Sequence, residues 1–469
     1  MQKKEGDNVK PVIKRKTIFL FLGIRSHVSD LLRTGYIKYL SEKYHVVVFI
    51  KDFEGVGDPN KEYYKTENIT YITLPNLEGR FWVYFDMYFR SEFIHIFDDN
   101  PAVKWRNERT DNKARLFFRA LSNLFHKSFF KPKFFFNLEK LFLPEYGEFK
   151  RYIKMYNPSL ILTATPGIFT YDAYAILAAS KSGIPSVAVD PSLDNLTVYP
   201  RHVRPSDYII SWNKMNEDQA IRYHGYNKEH LFLSGVIRFD QYYNNSSEEL
   251  SREEFLRSKG LDPKRKTVLY AAKTYGEFYK NFIRNFIKWQ NDGSFHEPVN
   301  LFVRLHPLDS MAGFEEFVGV PNVHIERAST KLLQSDISKG QKVEMDEHDL
   351  VNTKDTIRHS DLCVTITSTF TIESFVFDKP VVIASTSDGR TAGFKFLHNQ
   401  PYFENNAVKV GRTHEEILKY INMYLKDPSL DRGGRKKVLK YMVSPTDGNS
   451  YKRSVDFLSE ILEKEEKER

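Results

Sequence analysis

"TIFLFLGIRSHVSDLLRTGYIKYLSEKYHVVVFI" (residues 17–50) carries the pattern on which the fold turns. An unbroken apolar run, TIFLFL, leads through a short polar turn, GIRSH, into an amphipathic stretch, VSDLLRTGYIKYLSEKY, and a second apolar run, HVVVFI. Strands that are apolar at every position are buried on both faces. Joined through amphipathic helices, they make a parallel sheet covered on both sides. The unit returns in SLILTAT, TYDAYAILAASKSG and IPSVAVD, and its strands recur in TVLYAA, NLFVRL, DLCVTI and KPVVIAS. Gly183 and Pro185 punctuate one helix end and the strand that follows. The expected fold class is α/β, with two doubly wound, Rossmann-like domains facing each other across a cleft.

A chain of 469 residues exceeds one ordinary core. The polar, turn-rich stretch QYYNNSSEEL (Gln241–Leu250) is the expected junction. The division read from the sequence is a basic tail over 1–16, an N-terminal domain over 17–245, a C-terminal domain over 246–454, and a last helix, 455–469, returning to the first domain. A net charge of +8 suggests an anionic partner, and 41% hydrophobic with 28% charged residues describes a globular chain. The single cysteine, Cys363, excludes an intramolecular disulfide framework and a cysteine-built metal cluster. The apolar run TIFLFLGI is eight residues long, short of the roughly 20 that span a membrane, and lacks a signal-peptide cleavage site. The expected location is the cytosol.

One stretch interrupts the α/β pattern within a helical insertion near 110–145. Residues Lys113 to Lys140 hold eight phenylalanines among many Lys and Arg, with Glu139 as the only acid. Such a segment suits either packing on the first domain or contact with the anionic inner face of a membrane.

In open α/β sheets, ligands bind beyond the carboxyl ends of the strands. LFVRL delivers His306 there, and Pro307 ends strand pairing by removing a donor. DLCVTI delivers Thr367, Ser368 and Thr369 at the start of a helical pattern, where hydroxyls cap free N–H groups and the same groups attract phosphate. Glu373, one turn further on, suits ribose hydroxyls, and TVLYAAK brings Lys273 to a third strand end. Together these point to a nucleotide diphosphate site whose basic groups neutralise a leaving phosphate. An acceptor hydroxyl then needs a base from the opposite domain. Asp194 is the first candidate and Asp190 the second, with Asn195, Arg25 and His27 on the same acceptor side.

RLHP (Arg304–Pro307) and TSTFTIES (Thr367–Ser374), carried on two facing α/β domains, resemble nucleotide-sugar-dependent transferases of the GT-B fold. The nearest likeness is to the CDP-glycerol glycerophosphotransferase-like group and related capsule polysaccharide enzymes. Similar His-Pro and Ser-Thr pairs occur in bacterial sialyl- and Kdo-transferases. PSLDNLT (Pro191–Thr197), LSGVIRFDQY (Leu233–Tyr242) and DGNSYKRSVDFL (Asp447–Leu458) resemble further segments of that group. Leu193 stands where the related segment has tryptophan, and Ile237 where proline is common. The resemblance implies His306, Ser368 and Thr369 at the donor phosphates or base, with Arg304 and Lys273 as further phosphate partners. It implies Glu373 at the ribose, and Gly235, Arg238 and Asp240 along the path between domains. The donor would be a CDP-, CMP- or UDP-linked group, and the acceptor a hydroxyl of a cell-surface polysaccharide or a lipid-linked glycan. No cofactor and no metal are expected, because His and acidic residues show no ligand spacing. Two other readings stand beside this one. A UDP-sugar 2-epimerase shares the fold, but typically looks like SGG followed by paired glutamates where this chain has STFTIES. A non-catalytic nucleotide or glycan sensor, or a membrane-surface scaffold, is the other. Nucleic acid is excluded as a partner by the absence of a recognised module and by the balance of acids and bases outside Lys113–Lys140.

Overall fold

A computed structural model of the chain describes residues 15–52, 58–75, 112–128, 145–199, 204–244, 249–271, 277–306, 309, 311–327, 345–385, 394 and 396–468. Most of the basic tail, Lys273, Pro307 and the second half of the Phe/Lys segment lie outside them.

Among the described residues the strands form two parallel sheets. The first contains β1 (Thr17–Leu22), β2 (His45–Lys51), β3 (Ile69–Leu74), β4 (Leu160–Thr163), β5 (Ser186–Val189), β6 (Tyr208–Ser211) and β7 (Leu231–Leu233), in the order β3-β2-β1-β4-β5-β6-β7. The second contains β8 (Lys266–Ala271), β9 (Val299–Leu305), β10 (Val323–Arg327), β11 (Leu362–Thr365), β12 (Val381–Ala384) and β13 (Lys409–Gly411), in the order β10-β9-β8-β11-β12-β13. In each sheet the strand order reverses once, between β1 and β4 and between β8 and β11. Those switch points are where such sheets open a crevice.

The continuous apolar strands are explained by burial on both faces. Ile18, Leu20 and Leu22 enter one core layer and Phe19 and Phe21 the opposite one, where Phe21 stacks on Phe49 at 4.5 Å. The second sheet repeats the arrangement with Leu269 and Phe302 on one face and Val268, Tyr270 and Val303 on the other.

The helices that position the site are α1 (Arg25–Leu32), α2 (Gly35–Lys43), α3 (Lys113–Ser128), α4 (Thr170–Lys181), α5 (Lys214–His224), α6 (Glu347–His359), α7 (Thr369–Val376), α8 (Arg432–Met442) and α9 (Ser450–Glu468). The first differs from its sequence reading. GIRSH is not a turn, because the helix opens at Arg25, and VSDLLRTGYIKYLSEKY breaks at Thr34. The Thr34 hydroxyl bonds Asp30 O at 2.9 Å and accepts Tyr36 N at 3.4 Å, restarting the helix as a cap. Gly35 fits there because an added Cβ would lie 3.3 Å from the Tyr451 ring.

α9 packs on the first sheet's side of the molecule. Its Val455, Leu458, Ile461 and Leu462 recur at helical spacing and are 0–4% exposed in the same core as β1 and α2. Their burial contributes on the order of 6–12 kcal/mol as an upper estimate. The helix start is fixed by Asp240, whose carboxylate accepts Ser450 N at 3.0 Å and Tyr451 N at 2.8 Å. Gly235 (φ +89°) leaves room for this, since a Cβ there would sit 2.6 Å from Ser450 Oγ and 2.9 Å from Pro445 O. Arg453 Nε donates to Ser234 O at 2.9 Å, and Asn244 Nδ2 to Gly448 O at 3.1 Å. The segments around 234–244 and 445–453, through which the chain passes between the lobes, are therefore bonded side by side into one hinge.

Candidate active site

The carboxyl ends of β8, β9 and β11 are level, since Ala271 pairs with both Arg304 and Thr365. His306 and Ser368 therefore follow strand ends on one rim, separated by β8. His306 is held by a small reciprocal turn: its N–H donates to Asp309 Oδ2 at 3.2 Å, and Asp309 N–H donates to its carbonyl at 2.8 Å. Ser368 is the N-cap of α7, yet its hydroxyl does not cap the helix and lies 3.1 Å from Thr365 Oγ1 instead. The first turn of α7, with the exposed Thr369, thus meets the cleft without a capping side chain.

Arg304 does not join this rim. Side chains alternate along a strand, so Arg304 shares a face with Phe302 beneath α6 and is 2% exposed. Its guanidinium bonds Glu326, and Thr353 Oγ1 at 3.0 Å. Glu326 also receives Lys259 at 2.7 Å, His324 at 3.1 Å and Asn352 at 2.8 Å. Burial alone would raise the Glu326 carboxyl, but the His324 hydrogen bond and the Arg304 and Lys259 charges hold it well below the usual carboxylate range. Arg304 is a strut behind the rim, and the sequence reading of it as a phosphate partner is corrected on that ground.

Across the cleft, the loop after β5 carries Asp190, Asp194 and Asn195. Asp190 is 2% exposed and accepts from Asn195 Nδ2 at 2.8 Å and from Ser192 N at 3.3 Å, which folds the loop on itself. Asp194 precedes the one-turn helix Asn195–Val198, and its carboxylate accepts from Ser192 Oγ at 2.5 Å. Leu193 is buried between Trp212 and residues of the second lobe, so this loop is seated on an inter-lobe apolar seam. One helical turn beyond Asp194, Thr197 Oγ1 meets His398 Nδ1 of the second lobe at 3.0 Å. Arg25 and His27, in the first turn of α1, are buried, with His27 edge-on to Phe169 at 5.7 Å.

Arg238, in the hinge, joins the two sides. It lines a recess with Asp30, Asp190, Trp212 and Ser234, and its guanidinium lies 5.6 Å from the Trp212 ring centre. Its Nη2 is 3.6 Å from Glu373 Oε1 of α7. Burial alone would make the guanidinium less basic; the negative charges of Asp30, Glu373 and Asp194 outweigh that and keep it firmly protonated. Glu373 is 5% exposed and also accepts from Tyr242 Oη at 2.7 Å.

Sequence reasoning missed Asp30, Trp212, Tyr242 and His398. Asp30 carried a signal as a lone acid in an apolar helix, and Tyr242 as part of RFDQY; nothing local marked the other two. The reading that His and acidic residues show no ligand spacing is also corrected. At the start of α6, Asp346, His348 and Asp349 bring ligand atoms within 4.8 Å of one another. Asp346 there accepts Asp349 N at 2.8 Å as the helix cap.

Two doubly wound lobes facing each other, with an uncapped helix N-terminus on one rim and carboxylates on the other, define a GT-B-like fold. The family model for CDP-glycerol:poly(glycerophosphate) glycerophosphotransferase matches residues 188–460, and the chain belongs to that family. A search of curated proteins returns no match. Solved structures share the fold over nearly the whole chain. A putative UDP-N-acetylglucosamine 2-epimerase from Listeria monocytogenes superposes with a TM-score of 0.55 at 14% identity, covering 96% of this chain and 97% of that one. The wall teichoic acid polymerase TagF, as a variant soaked with CDPG, gives 0.50 at 12% identity, with 96% and 89% covered. The UDP-GlcNAc 2-epimerase from Neisseria meningitidis bound to UDP-GlcNAc gives 0.51 at 12% identity, with 95% and 100% covered. At such identities the likeness establishes the fold alone.

Proposed function

We propose that the protein transfers glycerol phosphate, or a sugar, from a CDP-linked or related nucleotide donor to a hydroxyl of a cell-surface polysaccharide or lipid-linked acceptor. Asp194 takes the proton as the acceptor oxygen attacks. With a CDP-glycerol donor, the new O–P bond forms at the glycerol-bearing phosphorus as its bond to the bridging oxygen breaks, and CMP leaves. His306 and the first turn of α7, with Ser368 and Thr369, balance the charge that builds on that leaving group. Lys273, whose position follows β8, and Glu373, as ribose partner, complete the donor side.

The observation that carries this reading is the level rim of β9, β8 and β11, joined through Arg238 and Glu373 to the recess that Asp30 and Asp190 line in the first lobe. Isothermal titration with CDP, CMP, UDP and GDP tests it. Binding of a cytidine nucleotide that weakens in His306→Ala is the expected result; no binding of any of them would remove its support.

The surface of α3 favours an acceptor presented at a membrane. Leu116, Phe117 and Leu124 are 44%, 64% and 65% exposed beside Lys113, Arg115 and Arg119. No described helix is long and apolar enough to cross a membrane. Sedimentation with anionic vesicles, and its loss when Lys113, Arg115 and Arg119 become serine, checks this contact.

A further inference from the structure

Glu373 is held by the hinge, although it belongs to the donor lobe. Tyr242 lies 131 residues earlier in the chain, and its hydroxyl donates to Glu373 Oε2 at 2.7 Å while Arg238 approaches the other oxygen. The Tyr242 ring is fixed independently of that bond, between Phe239 at 5.1 Å and Phe377 at 5.4 Å. Tyr242 is 8% exposed and Glu373 5%, so water does not compete for the contact. Burial, and then the adjacent Glu373 charge, push the phenol far above its ordinary ionisation, so it remains a donor at every working pH.

A glutamate in a helix has three side-chain torsions to settle before both oxygens point one way. A carboxylate offers about four acceptor positions, and the hydrogen bond from Tyr242 takes one of them. We propose that Tyr242 is a positioning residue of the donor site: it fixes the Glu373 carboxylate toward the sugar hydroxyls of the nucleotide. This rests on the reading of Glu373 as ribose partner given above. Because Tyr242 rides on the segment that passes between the lobes, the ribose contact is complete only when the hinge lies against α7.

The test compares the affinity of the full-length chain for CDP and for 2′,3′-dideoxy-CDP by titration calorimetry. The wild type is expected to prefer CDP by about tenfold. In Tyr242→Phe, which keeps the ring and its packing, that preference should fall toward one, as it should in Glu373→Gln. The double variant should show no further loss, since both changes remove one coupled contact. Tyr242→Phe that retains the preference, with or without a lower Tm, overturns the positioning role while leaving the donor site standing. Equal wild-type affinity for the two nucleotides overturns it by removing Glu373 from the ribose. A wild type that binds neither nucleotide ends the functional reading and this inference together. Should Tyr242→Phe not fold, Glu373→Asp withdraws the carboxylate from the same hydroxyl and must lose the preference; keeping it overturns the proposal.

Discussion

The two rims that face each other across the cleft are built from the same kind of strand end but differ in chemistry. The first lobe offers Asp30, Asp190 and Asp194, tied into short loops and a helix. The second offers His306, two hydroxyls and a helix N-terminus, with its strongest charges, Arg304, Lys259 and Glu326, withdrawn behind the sheet. The difference teaches that position along a strand decides the task. A residue past the last ladder pair reaches the cleft, whereas one still paired inside the ladder, as Arg304 is, is absorbed into the core. An acidic rim suits taking a proton from a hydroxyl, and an N–H-rich rim suits holding phosphate.

The largest expected effect separates the withdrawn charges from the exposed ones. Glu326→Ala leaves Arg304 and Lys259 without their counter-charge, and should cost about 3–5 kcal/mol in urea unfolding at neutral pH. CDP affinity of the folded protein should stay near wild type; a parallel collapse of binding would return Arg304 to the donor site. Next, Asp194→Asn should slow transfer by at least ~100-fold while CDP binding is kept, which a radiolabelled-donor assay beside calorimetry would show. His306→Ala should do the reverse in kind, weakening CDP by about tenfold. If both variants lose CDP equally, the division of labour between the rims is wrong.

The smallest effect concerns pH. Asp172, at the start of α4, is fully buried and bonded by the Thr165 hydroxyl, and burial pushes its carboxyl up to about 8. An unfolded aspartate releases its proton near pH 4, so between about pH 4 and pH 8 the folded state binds more protons, and stability falls as pH rises through that window. Asp172→Asn should flatten the slope, raising Tm by a few degrees near pH 7 and by little near pH 4. A thermal scan at several pH values checks it, and an unchanged slope would show that Asp172 is ionised in the folded state throughout that window.

The α/β class was legible because parallel strands buried on both faces leave an unbroken apolar signature, and TIFLFL and HVVVFI pair residue for residue in one register. The rim positions of His306, Ser368 and Thr369 followed from where those signatures stop. Arg304 was misread because it lies two residues short of His306, still inside the ladder between Ala271 and Glu326, where α6 covers its side chain. The break at Thr34 depends on a hydroxyl choosing between two backbone partners, which composition does not reveal. The pairings Tyr242–Glu373 and Thr197–His398 join residues 131 and 201 apart, and only the lobe arrangement brings them together.

The dependence of the first lobe on α9 has a consequence for biosynthesis. Its last strand ends at Leu233, but the apolar face that Val455, Leu458, Ile461 and Leu462 cover stays open until roughly two hundred further residues have been made. At ribosomal speeds of about 5–20 residues per second, that is an exposure of roughly ten to forty seconds. A nascent chain of this protein is therefore a natural client for a holdase chaperone, and a ribosome stalled before Ser450 would display a sticky, half-closed first lobe.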